Sequence, residues 1–115
     1  MKPELLVRRL VHGMGYRYRL HSAKLPGKPD LVFASLKKII EVRGCFWHQH
    51  EECADSHMPK SRTSYWRPKL RRNQERDRAN LRALQTMGWS VLVMWECEVT
   101  EPKSVSVKLR KFLRR

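Results

Sequence analysis

All three cysteines of this 115-residue chain fall into one pattern with a histidine: Cys45, His50 and Cys53 lie in the run GCFWHQHEEC, and Cys97 ends the distant run WSVLVMWEC. Together they form a complete tetrahedral set of soft nitrogen and sulfur ligands, which reads as one structural zinc site. Metal bound there ties a polar loop to the far end of an apolar stretch, a stronger constraint on the fold than any local propensity. His57 is the weaker alternative ligand, because it lies further from Cys53.

A chain of this length suits one domain, residues 1–115, with a modest core that gains from a metal cross-link. Its 25 Lys and Arg against 11 Asp and Glu leave a net charge of +14, more than solubility requires, and point to a polyanionic partner, nucleic acid first. A membrane surface is the competing polyanion, but the basic residues are spread among Trp and Tyr with no lipid-facing amphipathic segment. The start MKPELLVRRL turns charged too early for a signal peptide, and no stretch approaches the roughly 20 apolar residues of a bilayer span. Three cysteines cannot all pair within one chain, so a reducing cytoplasm is the expected compartment.

Pro3, the apolar stripe of Leu6, Val7, Leu10 and Val11, and Gly13 as a cap predict a short first helix. An extended segment over 16–21 and the turn LPGKP lead into two β-rich runs, 31–33 and 39–42, which predict a hairpin. The following loop, to Trp66, is too polar to make its own core. A helical pattern runs from Pro68 to Met87 with Gly88 at its end, WSVLVMWEC reads as a buried strand, and Thr100 and Pro102 introduce a last helix with Val105, Leu109, Phe112 and Leu113 on one face. The order α, β-hairpin, loop, α, β, α predicts an α/β sandwich with a mixed sheet covered on both faces.

Pro29-Asp30 opens the first hairpin strand and Glu41-Val42-Arg43 closes the second, so the hairpin brings two carboxylates and a guanidinium to one end of the sheet, with Glu41 and Arg43 on one face. Adjacent carboxylates repel unless a divalent cation lies between them, and hard oxygen donors with open positions suit Mg²⁺ in a phosphodiesterase. The competing reading makes Asp30 a turn residue and Glu41 and Arg43 a solvated ion pair.

The stretches YRYRLHSAKLPGKPDLVF, GCFWHQHEEC, SRTSYW and NQERDRANLRALQTMGWSVLVMWEC, in this order, resemble the very short patch repair (Vsr) endonuclease family, from Glu4 to Cys97. The resemblance implies a restriction-endonuclease-like PD-(D/E)xK three-layer sandwich with a structural zinc. It also implies a Mg²⁺-dependent nick in one strand of double-stranded DNA beside a T:G mismatch left by deamination of 5-methylcytosine, made by a monomer on nucleoid DNA in the bacterial cytoplasm. Residue by residue, it makes Asp30 the catalytic metal ligand, His48 the general base and Glu4 an accessory acid. Cys45, His50, Cys53 and Cys97 match the zinc ligands, and Phe46, Trp47 and Trp66 match the aromatic residues that wedge into the duplex.

Where better-known members carry Thr-His before Gly-Cys, this chain has Val42-Arg43, with Glu41 just upstream in place of an apolar residue. Glu41 is then a second Mg²⁺ ligand, and Arg43, permanently charged, stabilises the scissile phosphate instead of acting as a base. His48 is left as the proton acceptor, with His21 in reserve. The chain begins almost at the first helix, so the N-terminal arm by which family members grip DNA is expected to be missing, which bears on mismatch specificity. The Glu41-Val42-Arg43 departure suggests a restriction-like or defence nuclease with another target, and the alternative from another class is a non-catalytic zinc-dependent DNA-binding module. Lys60, Arg62 and the cluster 67–72 should follow phosphates collectively. Trp89 and Trp95 read as packing, and Asp77 as a structural charge paired with a neighbouring Arg.

Overall fold

The computed structural model describes residues 2–51, 53 and 60–114; His57 lies outside them. Helix α1 spans Pro3–Gly13, strand β1 Arg19–Leu20, β2 Leu31–Phe33, β3 Lys38–Arg43, helix α2 Thr63–Thr86, β4 Ser90–Trp95 and α3 Pro102–Leu113. The four strands form one mixed sheet in the order β1-β2-β3-β4. The first two pairings are antiparallel and β3 runs parallel to β4, a reversal that needs the long crossover carrying α2.

Strand alternation sorts the core into two layers. Leu31, Phe33, Ile40 and Met94 point to one face, where they bury Val7 and Val11 of α1 and Val105, Leu109 and Leu113 of α3. Val32 and Ile39 point to the other and meet Leu84 of α2, with Leu25, Trp89 and Val91 packed around them. The second layer is the smaller. Its 24-residue helix is about 36 Å long at 1.5 Å per residue, and only Leu70 and Leu84 of it are buried. The N-terminal half of α2 therefore runs past the sheet and packs on the loop that follows β3.

Two boundaries differ from the sequence expectation. Helix α2 starts at Thr63 and carries Pro68 inside it. Proline near a helix start removes one ladder bond, and the rings of Tyr65 and Trp66, packed together at 5.1 Å, favour the extra turn. The glycine that ends α1 is Gly15, not Gly13: its N–H donates to the His12 carbonyl at 3.0 Å and the next residue, Tyr16, reaches back to Val11 at 3.3 Å. Gly88 repeats that Schellman closure after α2, donating to Gln85 at 3.0 Å while Trp89 donates to Leu84 at 3.1 Å. Its φ of +93° is a conformation an L side chain adopts only under strain, although a Cβ has room beside Lys37. Gly88→Ala should lower the free energy of unfolding by about 1–2 kcal/mol with an unchanged urea m-value; an unaltered midpoint contradicts this account of the α2–β4 turn.

Candidate functional site

Continuing the register Leu31↔Ile40 by one residue sets Asp30 opposite Glu41, at the end of the sheet where α2 overhangs. The Asp30 carboxylate is fixed there through Oδ2, which accepts the Val42 N–H at 2.7 Å. Across the other edge of β2, the His21 N–H donates to the Asp30 carbonyl at 3.1 Å. Glu4, in the first turn of α1, completes a group with His21 and Asp30 in which one donor atom from each lies within 4.8 Å of the others. Glu41 is not in that group; its Oε2 accepts from Arg43 Nη2 at 2.8 Å, and the residue is 8% exposed. The guanidinium in turn lies 5.8 Å from the centre of the Trp95 ring.

Burial pushes the Asp30 carboxyl up to about 6, and Glu4 adds to the rise, while the Val42 N–H and His21 act against it. A concentration of acid that holds a proton near neutral pH is a place where a divalent cation is favoured.

His48 reaches the same cleft from the loop after β3. The cleft is lined by Asp30, Glu41, Arg43 and His48 together with Asp77 and Asn80 of α2. Asp77 does not play the part expected of it, because its Oδ2 meets His48 Nδ1 at 2.5 Å. With a carboxylate on Nδ1, the ring is oriented and Nε2 is left to exchange a proton. Asp77 is the residue the sequence reading missed: its 29-residue separation from His48 carries no local signal.

The loop owes its shape to the Cys/His group. Cys45 lies two residues past the end of β3 and Cys97 two residues past that of β4, and their sulfurs lie 3.8 and 3.4 Å from His50 Nδ1; Cys53 joins them with all donor atoms within 4.8 Å. Burial raises the Cys45 thiol, and burial with the neighbouring thiols takes Cys97 to about 12. A metal ion reverses that penalty by stabilising the thiolates, so this donor set is suited to hold one. Trp95, read as packing, is half-buried and stacks on His50 with centroids 4.2 Å apart and planes 9° from parallel.

The same loop turns Phe46 and Trp47 the other way. Both rings lie edge-to-face with Trp66, at 5.5 and 5.7 Å, and Trp47 is 47% exposed. Asn73 donates to the Trp47 carbonyl at 3.2 Å. Tyr65, given no role in the sequence reading, and Lys69, read there only as part of the basic cluster 67–72, extend the cluster: Lys69 Nζ sits over Trp47, Tyr65 and Trp66 at 5.6, 5.6 and 5.9 Å. Exposed Lys60 and Arg62 precede α2, and the Arg62 guanidinium lies over Tyr65 at 5.0 Å.

Residues 1–55 match the family of the DNA mismatch endonuclease Vsr. The type II nicking enzyme V.XorIIP of Xanthomonas oryzae pv. oryzae is 46% identical over 112 residues, 97% of this chain and 82% of that protein. The type II nicking enzyme V.NmeAIP of Neisseria meningitidis is 39% identical over 113 residues, 98% of this chain and 80% of its own. The DNA mismatch endonuclease Vsr of Escherichia coli is 43% identical over 88 residues, 76% of this chain and 56% of that protein.

The raised Asp30 carboxyl has a consequence for stability. Because its folded value of about 6 exceeds the ordinary 3.8, its contribution is complete below pH 3.8 and is lost as pH rises through 6. Asp30→Asn keeps an acceptor for Val42 and removes the charge. At pH 7.5 without added divalent cation it should stabilise the protein by on the order of 2–3 kcal/mol, an advantage that vanishes at pH 4. Equal melting temperatures of the two proteins at pH 7.5 would contradict the buried-charge description.

Proposed function

The chain belongs to the Vsr family of DNA mismatch endonucleases, and on that premise we propose that it hydrolyses one strand of double-stranded DNA beside a T:G mismatch, using a restriction-endonuclease-like fold. The observation that carries this reading is the convergence of Asp30, with Glu4 and His21, and of His48, backed by Asp77, on one end of the sheet. An acid group for a cation beside an oriented imidazole is what phosphodiester hydrolysis requires.

Zinc fits the Cys45, His50, Cys53 and Cys97 set. Bonds of about 2.3 Å to sulfur and 2.0 Å to nitrogen at a tetrahedral angle separate the donors by about 3.5 Å, and the Sγ–Nδ1 distances of 3.4 and 3.8 Å lie on either side of that value. Its part is structural. A divalent cation such as Mg²⁺ would be held by Asp30 with Glu4 and would supply charge neutralisation at the phosphate, while Glu41, expected as a second ligand, is paired with Arg43 outside that group. His48 Nε2 takes a proton from the attacking water as the oxygen bonds to phosphorus and one backbone P–O bond breaks. Asp77 balances the imidazolium that results, and the leaving oxygen is protonated from solvent. Arg43 lies at the same cleft, where its guanidinium offsets the charge that builds on the phosphate oxygens. Phe46, Trp47 and Trp66 enter the duplex at the weakened pair, where unstacking costs least, and Lys60, Arg62 and the basic face of α2 follow the backbone.

A second reading keeps the nuclease and changes its target, to a restriction-like or defence role. It is favoured by the Glu41–Arg43 ion pair, because Val42-Arg43 stands where other family members carry Thr-His and Glu41 replaces an apolar residue just upstream.

Zinc-loaded protein with Mg²⁺ should nick a T:G duplex and leave the fully paired duplex intact, with no product in EDTA. Asp30→Ala should abolish nicking at unchanged duplex affinity, and His48→Ala should slow it by about 10²–10⁴-fold. Asp77→Asn should slow it by a smaller factor. Equal cutting of both duplexes favours the second reading, and binding without cutting by the unmutated protein contradicts both.

A further inference from the structure

The group around Asp30 contains a nitrogen donor as well as two carboxylates, and this decides which cation it prefers. His21 is held where β1 ends: its N–H continues the β1–β2 ladder by donating to the Asp30 carbonyl at 3.1 Å. Its φ of +46° departs from strand geometry at that point. His21 Nδ1 lies 3.6 Å from Asp30 Oδ1, and Nε2 lies 3.4 Å from Glu4 Oε2. These separations are too long for charge-assisted hydrogen bonds, which close to about 2.7–2.9 Å. The imidazole sets a different ring nitrogen against each carboxylate and only one nitrogen can hold a given ion, so one of these contacts at most is a spacing between adjacent ligands, about 3.0–3.4 Å for bonds near 2.1 Å; one donor atom from each of Glu4, His21 and Asp30 lies within 4.8 Å of the others.

The oxygens are divided in a way that suits this. Asp30 Oδ2 is engaged by the Val42 N–H at 2.7 Å, so Oδ1 is the atom that faces His21. Glu4 Oε2 lies 3.4 Å from His21 and 3.7 Å from Arg8, and the Glu4 carboxyl also interacts with that of Asp30. The imidazole is 51% exposed, which leaves open positions for water and a phosphate oxygen.

We infer that His21 is a nitrogen ligand of the catalytic cation, and that the site formed by Glu4, His21 and Asp30 binds a first-row transition dication such as Mn²⁺ or Co²⁺ more tightly than Mg²⁺. The chemistry follows from the donors: Mg²⁺ is satisfied by oxygen and water, whereas an imidazole contributes appreciably only to a softer ion. This rests on the proposal that Asp30 is the cation ligand. It also removes His21 from the role of reserve base, because a coordinated ring nitrogen has no lone pair to offer a proton.

The test uses the zinc-loaded protein with one equivalent of Mn²⁺, read by electron spin echo modulation and by calorimetric titration. The unmutated protein should show ¹⁴N modulation from a directly bound imidazole. His21→Gln, a change at a half-exposed side chain outside both cores, should remove the modulation and weaken Mn²⁺ binding about tenfold or more, with Mg²⁺ affinity changed by less than about threefold. Asp30→Asn should remove Mn²⁺ binding. If Mn²⁺ binds in an Asp30-dependent way but shows no ¹⁴N modulation, or if modulation persists in His21→Gln, the assignment of His21 is wrong and Asp30 remains the ligand. If Mn²⁺ binding survives Asp30→Asn, or none binds at all, the cation site itself is overturned.

Discussion

The Cys/His cluster joins the ends of two adjacent parallel strands, and the geometry of the cleft depends on that closure. Cys45 and Cys97 sit just past β3 and β4, so an ion shared by the cluster would pin both strand ends to the loop between β3 and α2. Among the loop's described residues only Cys45 is buried. The loop is held instead by turn hydrogen bonds, such as His50 N–H to the Cys45 carbonyl at 3.0 Å, and by the stacking of His50 on Trp95. Once the loop is fixed, neighbouring residues have opposite fates: His48 turns into the cleft against Asp77, while Trp47 is left exposed beside Trp66. In the proposed function each side of the loop would serve a different part of the same substrate.

Electrostatics separates the cleft from the rest of the surface. A net charge of +14 draws in a polyanion, yet the centre of the proposed reaction is acidic, with Asp30, Glu41, Asp77 and Glu4 converging on it. Burying that much negative charge opposes folding, as the raised Asp30 carboxyl shows. Each acid is balanced differently. Arg43 offsets Glu41 and His48 faces Asp77, leaving Asp30 and Glu4 as the pair whose repulsion a cation relieves. The stability cost is concentrated where the chemistry needs it.

Much of this was legible in the chain itself. The order of elements, the two-layer core and the closing glycine after α2 follow from periodicity and cap residues, because those signals are local. The Cys/His set was legible because cysteine is rare and its spacing is restrictive. Partnerships across the chain were not: His48 with Asp77, His21 with Glu4 and Asp30, and Lys69 over three rings depend on how the elements dock. Asp77 shows the difficulty plainly. On a helix crowded with arginine, the nearest opposite charge by sequence was the reasonable partner, and tertiary packing supplied a histidine instead. The early start of α2 has the same origin, since the ring cluster that favours the extra turn draws Phe46 and Trp47 from another segment.

The proposed function assigns separate duties to two donor groups: a sulfur-rich cluster suited to hold zinc beside the loop, and an oxygen-rich group, with one imidazole, proposed to hold the cation at the phosphate. Single-turnover nicking of a T:G duplex by protein that retains one zinc after all weakly held cations are removed tests that division directly. The two-site arrangement predicts no product until a second divalent cation is added, then full recovery with the zinc content unchanged. Full nicking with the zinc alone would contradict it.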